Sequence, residues 1–250
     1  MKQVSPHFLD NLQKKVISTV HAHNMIAKND RILLAVSGGK DSMMMLETFV
    51  EKRRKISFDF QLFVAHITDK NKNYITDTQL IEDYCKENNI EYIEREIEIE
   101  EDQKGKNKDK SFCFVCSWTR RKALFLLTKE FNINKLAFAH NLDDAIETLF
   151  MNMVYHGSIS SLPFKVTMFE GRVDLIRPLL SLENKDLETY AQLRGFSKEM
   201  KRCKYADATK RTDIRNMIET LNGMNPLARK NIFRSMSKQF PEYLPQIIRG

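Results

Sequence analysis

The apolar run at residues 31–36 ends in Leu33-Leu34-Ala35-Val36 and passes straight into Ser37-Gly38-Gly39-Lys40-Asp41-Ser42. Residues 43–50 then take up helical spacing. A strand feeding a helix through two glycines exposes the helix's unpaired N–H groups and positive dipole end at the turn. The glycines allow close backbone approach, Ser37 and Ser42 add hydroxyl donors, and Lys40 adds a point charge, so the turn suits a phosphate. Asp41 reads as a first-turn acid or as a ligand to Mg2+ bridging to that phosphate. The spacing is not the Walker pattern G-x-x-x-x-G-K-S/T, which removes the analogy with P-loop kinases and GTPases.

The rest of the chain repeats the strand–helix alternation. Residues 6–26, 76–87, 114–131 and 142–155 read as helices, and residues 60–67, 91–98 and 135–139 as strands. Residues 164–176 read as a hairpin around Glu170-Gly171, and 183–194, about 208–222 and 226–238 as further helices. The pattern predicts an α/β fold, a parallel sheet with helices on both faces. With 42% apolar residues in 250, the chain can bury one large core, which excludes wholesale disorder. The expected division is an N-terminal helix (1–28), a main domain (29–206) and a helical C-terminal extension (207–250). The N-terminus lacks an apolar signal region and no apolar run approaches membrane-spanning length. The expectation is a cytoplasmic protein with no membrane partner.

Charge is distributed in blocks. Forty Lys and Arg against 33 Asp and Glu give +7, which invites a polyanionic partner. Residues 91–102 carry seven acids and Arg95, net −6, whereas residues 104–122 are net +6 and residues 198–215 net +4. Both basic blocks contain cysteine.

A second acidic feature follows the fourth strand: His140-Asn141-Leu142-Asp143-Asp144-Ala145-Ile146-Glu147-Thr148. Asp143 and Asp144 fall in a helix first turn, where the dipole favours acids, and can hold Mg2+ or orient a reacting base. Ile146, Leu149, Phe150 and Met153 form the apolar stripe expected to face the core. Simple capping is the alternative for the acids, and packing is the alternative for His140. Arg177-Pro178-Leu179-Leu180 follows the last strand, with Arg177 placed to meet a phosphate or to pair with a local acid.

Four cysteines are too few for a disulfide scaffold. Cys113-Phe114-Val115-Cys116 opens a helix and reads as metal-binding or redox chemistry. Cys85 has helical spacing with Ile81 and reads as packing. Cys203, within Lys201-Arg202-Cys203-Lys204, has no packing reason to be there. A closed zinc site needs four ligands, whereas three thiolates leave one iron of a four-iron cluster open.

Taken together, LLAVSGGKDSMMML resembles the signature of the PP-loop ATP pyrophosphatases of the adenine nucleotide α-hydrolase-like type. The resemblance implies a five-stranded parallel sheet and cleavage of ATP between its α- and β-phosphates to adenylate a substrate. Adenine would lie against residues 62–67, and Ala35, Ser37, Gly38, Gly39, Lys40, Asp41, Ser42, Ala65 and His140 would bind ATP. From about residue 11 to 222 the chain is further similar to the tRNA 2-thiocytidine synthetases, through the hexapeptide, the DD-x-x-ET segment, the C-x-x-C with Arg120-Arg121, the RPL segment and the late Cys203. It departs from them at Trp118, where a basic residue is usual, at Ala139 in place of glycine, and in having no second cysteine after Cys203.

This second likeness implies a cytidine C2 carbonyl at position 32 of a tRNA anticodon loop as the adenylated group, with sulfur then replacing oxygen. It implies an iron–sulfur cluster (4Fe-4S) on Cys113, Cys116 and Cys203, Mg2+ at Asp41, and catalytic roles for Asp143, Asp144, Lys40 and Arg120. Arg121, Lys122, Lys201, Arg202, Lys204, Arg211 and Arg215 would contact RNA. Partners would be tRNA, a sulfur donor such as a cysteine desulfurase, and a second copy in a homodimer. The competing readings are a lysidine-synthetase-like tRNA ligase without a cluster, a PP-loop enzyme acting on a small metabolite, and a non-catalytic zinc- or nucleotide-binding module.

Overall fold

The computed structural model describes residues 7–56, 58–70, 78–99, 112–196 and 210–245. Its contacts divide the chain into two units: residues 1–142 with 163–208, and residues 143–162 with 209–250.

The first unit is built on one sheet. β1 (Arg31–Ala35), β2 (Gln61–Asp69), β3 (Glu91–Ile97), β4 (Lys135–Ala137), β5 (Lys165–Met168) and β6 (Val173–Ile176) lie in the order β3-β2-β1-β4-β6-β5. Ile32, Leu33 and Leu34 are fully buried, as a central parallel strand covered on both faces requires. Alternation then sorts the two faces. Ile32, Leu34, Leu62 and Val64 join one core with α1 (His7–Ala22), α2 (Lys40–Lys52), α3 (Thr78–Glu87) and α6 (Asn184–Leu193), through Val16, Phe49, Ile81 and Tyr190. Leu33, Phe63, Ala65 and Ile67 join the other with α4 (Phe112–Glu130), through Ala123, Leu124 and Leu127. Cys85 is buried in the first of these cores, and its burial pushes the thiol up to about 11, which suits packing rather than chemistry.

The parallel sheet expected from the alternation is present, with six strands rather than five. The extra one is β5, the first arm of the 164–176 hairpin, which pairs antiparallel with β6 from Lys165↔Ile176 to Met168↔Val173. Phe169, Glu170 and Gly171 all adopt positive φ, the backbone a tight hairpin reversal needs. An edge strand that enters through a hairpin has no crossover helix, so it adds antiparallel. The chain builds outward from β1 to β3, then crosses back to β4 on β1's other side. This reversal beside β1 puts a crevice at the carboxyl ends of β1 and β4, where open α/β sheets bind ligands.

The second unit comprises α5 (Leu142–His156) from Asp143 onward, α7 (Lys210–Met224) and α8 (Ala228–Ser235). Ala145, Ile146 and Leu149 of α5 are buried, as are Ile214 and Ile218 of α7. Met153, expected in the core stripe, is 44% exposed, because the buried stripe shifts toward Ala145 and ends at Leu149. No helix among the described residues is long and apolar enough to cross a membrane.

On the β5–β6 edge Asp174 accepts hydrogen bonds from Lys135 Nζ (2.5 Å) and Thr167 Oγ1 (2.7 Å) and pairs with Lys165 Nζ at 3.1 Å. Burial alone would raise its pKa, but these donors outweigh burial and hold it at about 2. A carboxyl depressed below its unfolded value near 4 stabilises the fold above that pH, and the contribution disappears as pH falls through about 2. Thermal melts between pH 5 and 2 should therefore show a shallower acid loss for Asp174→Asn than for the wild type; equal slopes would remove Asp174 as the source.

Candidate active site

The end of β1 is fixed before the phosphate loop begins. The Val36 N–H donates to the Ala65 carbonyl (2.9 Å), and His66 Nδ1–H donates to the Val36 carbonyl (2.7 Å). Both backbone groups of Val36 are thereby tied to β2, and Ala35 pairs with Ala65 in register. Gly38 then takes φ +81°, a left-handed conformation that costs a side-chain-bearing residue energy. Gly39 caps α2 with extended backbone and contributes no capping side chain. Ser42 closes the turn: its Oγ donates to the Gly39 carbonyl (2.9 Å) and accepts from the Ser37 N–H (3.1 Å). The Gly39 N–H donates to Ser37 Oγ (3.3 Å). The result is a short concave loop at the positive end of a 13-residue helix, suited to an anion.

Lys40 and Asp41 are joined to residues far away in sequence. Lys40 Nζ donates to Asp41 Oδ1 (2.6 Å) and to Asn184 Oδ1 (2.7 Å), and Asn141 Nδ2 donates to Asp41 Oδ2 (3.0 Å). Both carboxylate oxygens of Asp41 are thus engaged. A carboxylate in this position is a hard oxygen donor of the kind that Mg2+ takes.

Next to the loop lies the carboxyl end of β2. His66 is fully buried, and burial first, then the positive charge of Arg120, lowers its pKa, so the ring is held neutral with Nδ1 protonated. His140, half-buried, lies 5.5 Å ring to ring from Phe138 in the segment after β4. Arg120, eight residues into α4, donates to the Ile67 carbonyl at 3.5 Å. Cys116 and Cys113 stand one and two turns earlier on the same stripe of α4, both partly exposed thiols. Two thiols three apart on a helix start are a donor pair for a soft metal or a cluster iron. Among the described residues no three His, Cys, Asp or Glu side chains are gathered for a metal. The third thiol, Cys203, lies outside the described residues, as do Lys201, Arg202 and Lys204.

Arg177 directly follows β6. It is buried, its Nη1 donates to the Pro163 carbonyl (2.6 Å), and its Nε has no partner. Burial first, then the like charge of Arg121, depresses its pKa to about 10. Among the described residues no acid pairs with it, so of the two expected roles the local ion pair is not the one observed. Arg121 itself donates from Nε to the Ser117 carbonyl (3.2 Å).

In the second unit two acids of α5, Glu147 and Asp143, are engaged with arginines. Glu147 is only 5% exposed, and Arg215 donates to it twice, at 2.8 and 3.3 Å, with Arg211 at 3.5 Å. Asp143 accepts from Arg229 Nε at 2.8 Å, and Arg229 also reaches Glu219. Arg211 and Arg215, expected to face RNA, hold this carboxylate within their own unit.

A family model described as PP-loop domain matches residues 8–221, most of the chain. The chain is a PP-loop protein. Similar curated proteins include the tRNA-cytidine(32) 2-sulfurtransferase 1 of Francisella tularensis, 29% identical over 246 residues and covering 97% of this chain and 91% of that one. The tRNA-cytidine(32) 2-sulfurtransferase of Citrifermentans bemidjiense is 27% identical over 236 residues, covering 93% and 92%. Among solved structures, the U34-tRNA thiolase NcsA from Methanococcus maripaludis, with its 4Fe-4S cluster, shares the fold at a TM-score of 0.75. It is 22% identical and is matched over 95% of this chain and 80% of that one.

Within this PP-loop protein, four side chains of these hydrogen-bonded arrangements escaped the sequence reading. Asn184 and Asn141 carry no periodic or charge signal; only the fold brings them to Lys40 and Asp41. His66 is hidden inside an apolar strand pattern. Arg229 sits on an exposed-looking helix 86 residues from Asp143.

Ser42→Ala removes both hydrogen bonds that close the phosphate loop. It should weaken binding of a non-hydrolysable ATP analogue about tenfold by calorimetry, with the fold retained. Arg215→Ala leaves Glu147 buried with only the longer Arg211 contact, and chemical denaturation should show a loss of about 1–3 kcal/mol.

Proposed function

We propose that the chain is an ATP-dependent tRNA sulfurtransferase that adenylates the C2 oxygen of a cytidine in the anticodon loop, position 32, and replaces it with sulfur. The observation that carries this reading is the stripe Cys113, Cys116 and Arg120 on α4, with Arg120 reaching the carboxyl end of β2. Cys116 and Cys113 lie one and two turns before that arginine on the same helix. The curated relatives matched over nearly their whole length are cytidine(32) sulfurtransferases. The solved neighbour of the same fold is a tRNA thiolase carrying a cluster.

The chemistry follows from leaving groups. A carbonyl oxygen leaves poorly as oxide and well as AMP. ATP phosphates lie against the Ser37–Ser42 turn, and Lys40 exchanges Asp41 and Asn184 for phosphate oxygens. Asp41 is then available to Mg2+. The cytidine C2 oxygen attacks the α-phosphorus, the α–β bridging bond breaks, and pyrophosphate departs. Lys40 and the loop N–H groups stabilise the charge that builds on the phosphates. Hydrosulfide, released from a donor persulfide such as that of a cysteine desulfurase by a thiol reductant that is itself oxidised to disulfide, adds at C2, and the C–O bond breaks to release AMP with the original oxygen. Arg120 holds the region between thiols and nucleotide positive, which favours both AMP and sulfide. Asp143 and Asp144 are assigned to metal or base, with Arg229 orienting Asp143.

The two thiols of α4, with Cys203, suit a 4Fe-4S cluster with three protein ligands; bound there it would supply an iron position open to sulfide. The +7 net charge and the basic block at residues 104–122 suit a tRNA backbone. A cytoplasmic location would keep the thiols reduced.

Anaerobically purified protein should be brown, with broad absorption near roughly 400 nm that Cys113→Ser, Cys116→Ser and Cys203→Ser each abolish. Pyrophosphate release should require added tRNA, and mass spectrometry of digested tRNA should show 2-thiocytidine only with the wild type. A colourless, zinc-loaded protein that still thiolates tRNA would remove the cluster. Pyrophosphate release indifferent to tRNA would point to a small-molecule substrate.

A further inference from the structure

Helix α4 presents three stripes. Ala123, Leu124 and Leu127 are buried in the core, and Cys113, Cys116 and Arg120 form the half-buried stripe already described. The third stripe faces solvent: Phe114, Trp118 and Lys122, spaced four apart, with Arg121 and Ser117 lying between it and the cysteines by helical geometry. Phe114 is 44% and Trp118 47% exposed, and Lys122 Nζ lies 5.2 Å from the centroid of the Trp118 ring.

Rings this exposed add little to the core, whose contribution from α4 begins at Ala123. A solvent-facing aromatic stripe of this kind marks a contact surface. The stripe falls, in sequence, within a basic block that runs on to Arg120, Arg121 and Lys122. Residues 104–122 are net +6, which disfavours a basic or purely apolar partner and favours a polyanion. Flat rings among cations fit unpaired nucleic acid: bases stack on the ring, and Arg and Lys take the flanking phosphates. A duplex keeps its bases within its own stack and cannot use such a platform.

We propose that Trp118, with Phe114 one turn before it, is a stacking platform for an unpaired nucleobase of the RNA substrate, with Arg121 and Lys122 contacting the adjoining phosphates. This rests on the reading of RNA as substrate and specifies which part of that RNA the chain grips: unpaired loop bases flanking the reacting one.

Trp118 is the single tryptophan of the chain, so its fluorescence reports this position directly. Titrating the holoenzyme with a short hairpin RNA that has an unpaired loop should quench that emission roughly twofold, whereas a duplex of the same composition should not. Trp118→Ala should weaken hairpin binding about tenfold and leave ATP binding unchanged, and Trp118→Phe should restore most of the affinity. Hairpin binding with unchanged emission, equal quenching by duplex, quenching by ATP alone, or wild-type affinity in Trp118→Ala would each overturn the platform. Thiolation by the wild type is scored separately. Quenching without thiolation leaves the platform standing and removes the sulfurtransferase reading; thiolation without quenching does the reverse.

Discussion

Val36 leaves β1 with its N–H bonded to Ala65 and its carbonyl bonded to the ring of buried His66. One residue later the backbone must turn through Gly38 at positive φ and begin a helix at Lys40. A loop that binds phosphate through backbone groups works only if those groups are already aimed. The double clamp on Val36 sets the starting direction, and Ser42 sets the end. Because His66 is buried away from water, its hydrogen bond to Val36 cannot be exchanged easily for a solvent partner. The rest of the site inherits this fixed edge: β2 carries the clamp, and the same strand's Ile67 carbonyl receives Arg120 from the helix that bears the thiols.

The charges around the loop satisfy one another. Lys40 is held by Asp41 and Asn184, and Asp41 by Lys40 and Asn141. These contacts orient Lys40 while keeping its charge compensated. They also tie the loop to the start of α6 and to the segment after β4, joining three separated stretches of the first unit. Arg177 differs: it is buried with an arginine near it and, among the described residues, no acid paired with it, an arrangement that favours an anion at the sheet's carboxyl edge.

Several of these features were legible in the sequence. The strand–glycine–helix passage around Ser37–Ser42 is local, so its geometry follows from neighbouring residues. The cysteine spacing in α4 is local too, and a helix puts positions three apart on one side. The sixth strand was readable as one arm of a hairpin but not as part of the sheet, because edge pairing is decided by which strand is left open. The pairing of Glu147 with Arg215 and Arg211, and of Asp143 with Arg229, joins residues 64 to 86 apart. No periodicity carries that information, so arginines that look solvent-directed in sequence prove to be bound within their own unit. Met153 fell outside the core for a similar reason: a helical stripe shows which residues share a side but not where its burial ends.

The position of β1 also governs the order of events in which this molecule is made. Its partner on one side, β2, is 30 residues away, but on the other side Ile32 pairs with Lys135 across about a hundred residues of intervening chain. Pairings that close long loops form slowly relative to local ones. The strand pair β1–β2, β3 and the cysteine-bearing α4 are all synthesised and available before that last central pairing can close. The thiols of α4 therefore enter the assembling molecule ahead of the finished crevice, whereas Cys203 is made only after β4 and β6.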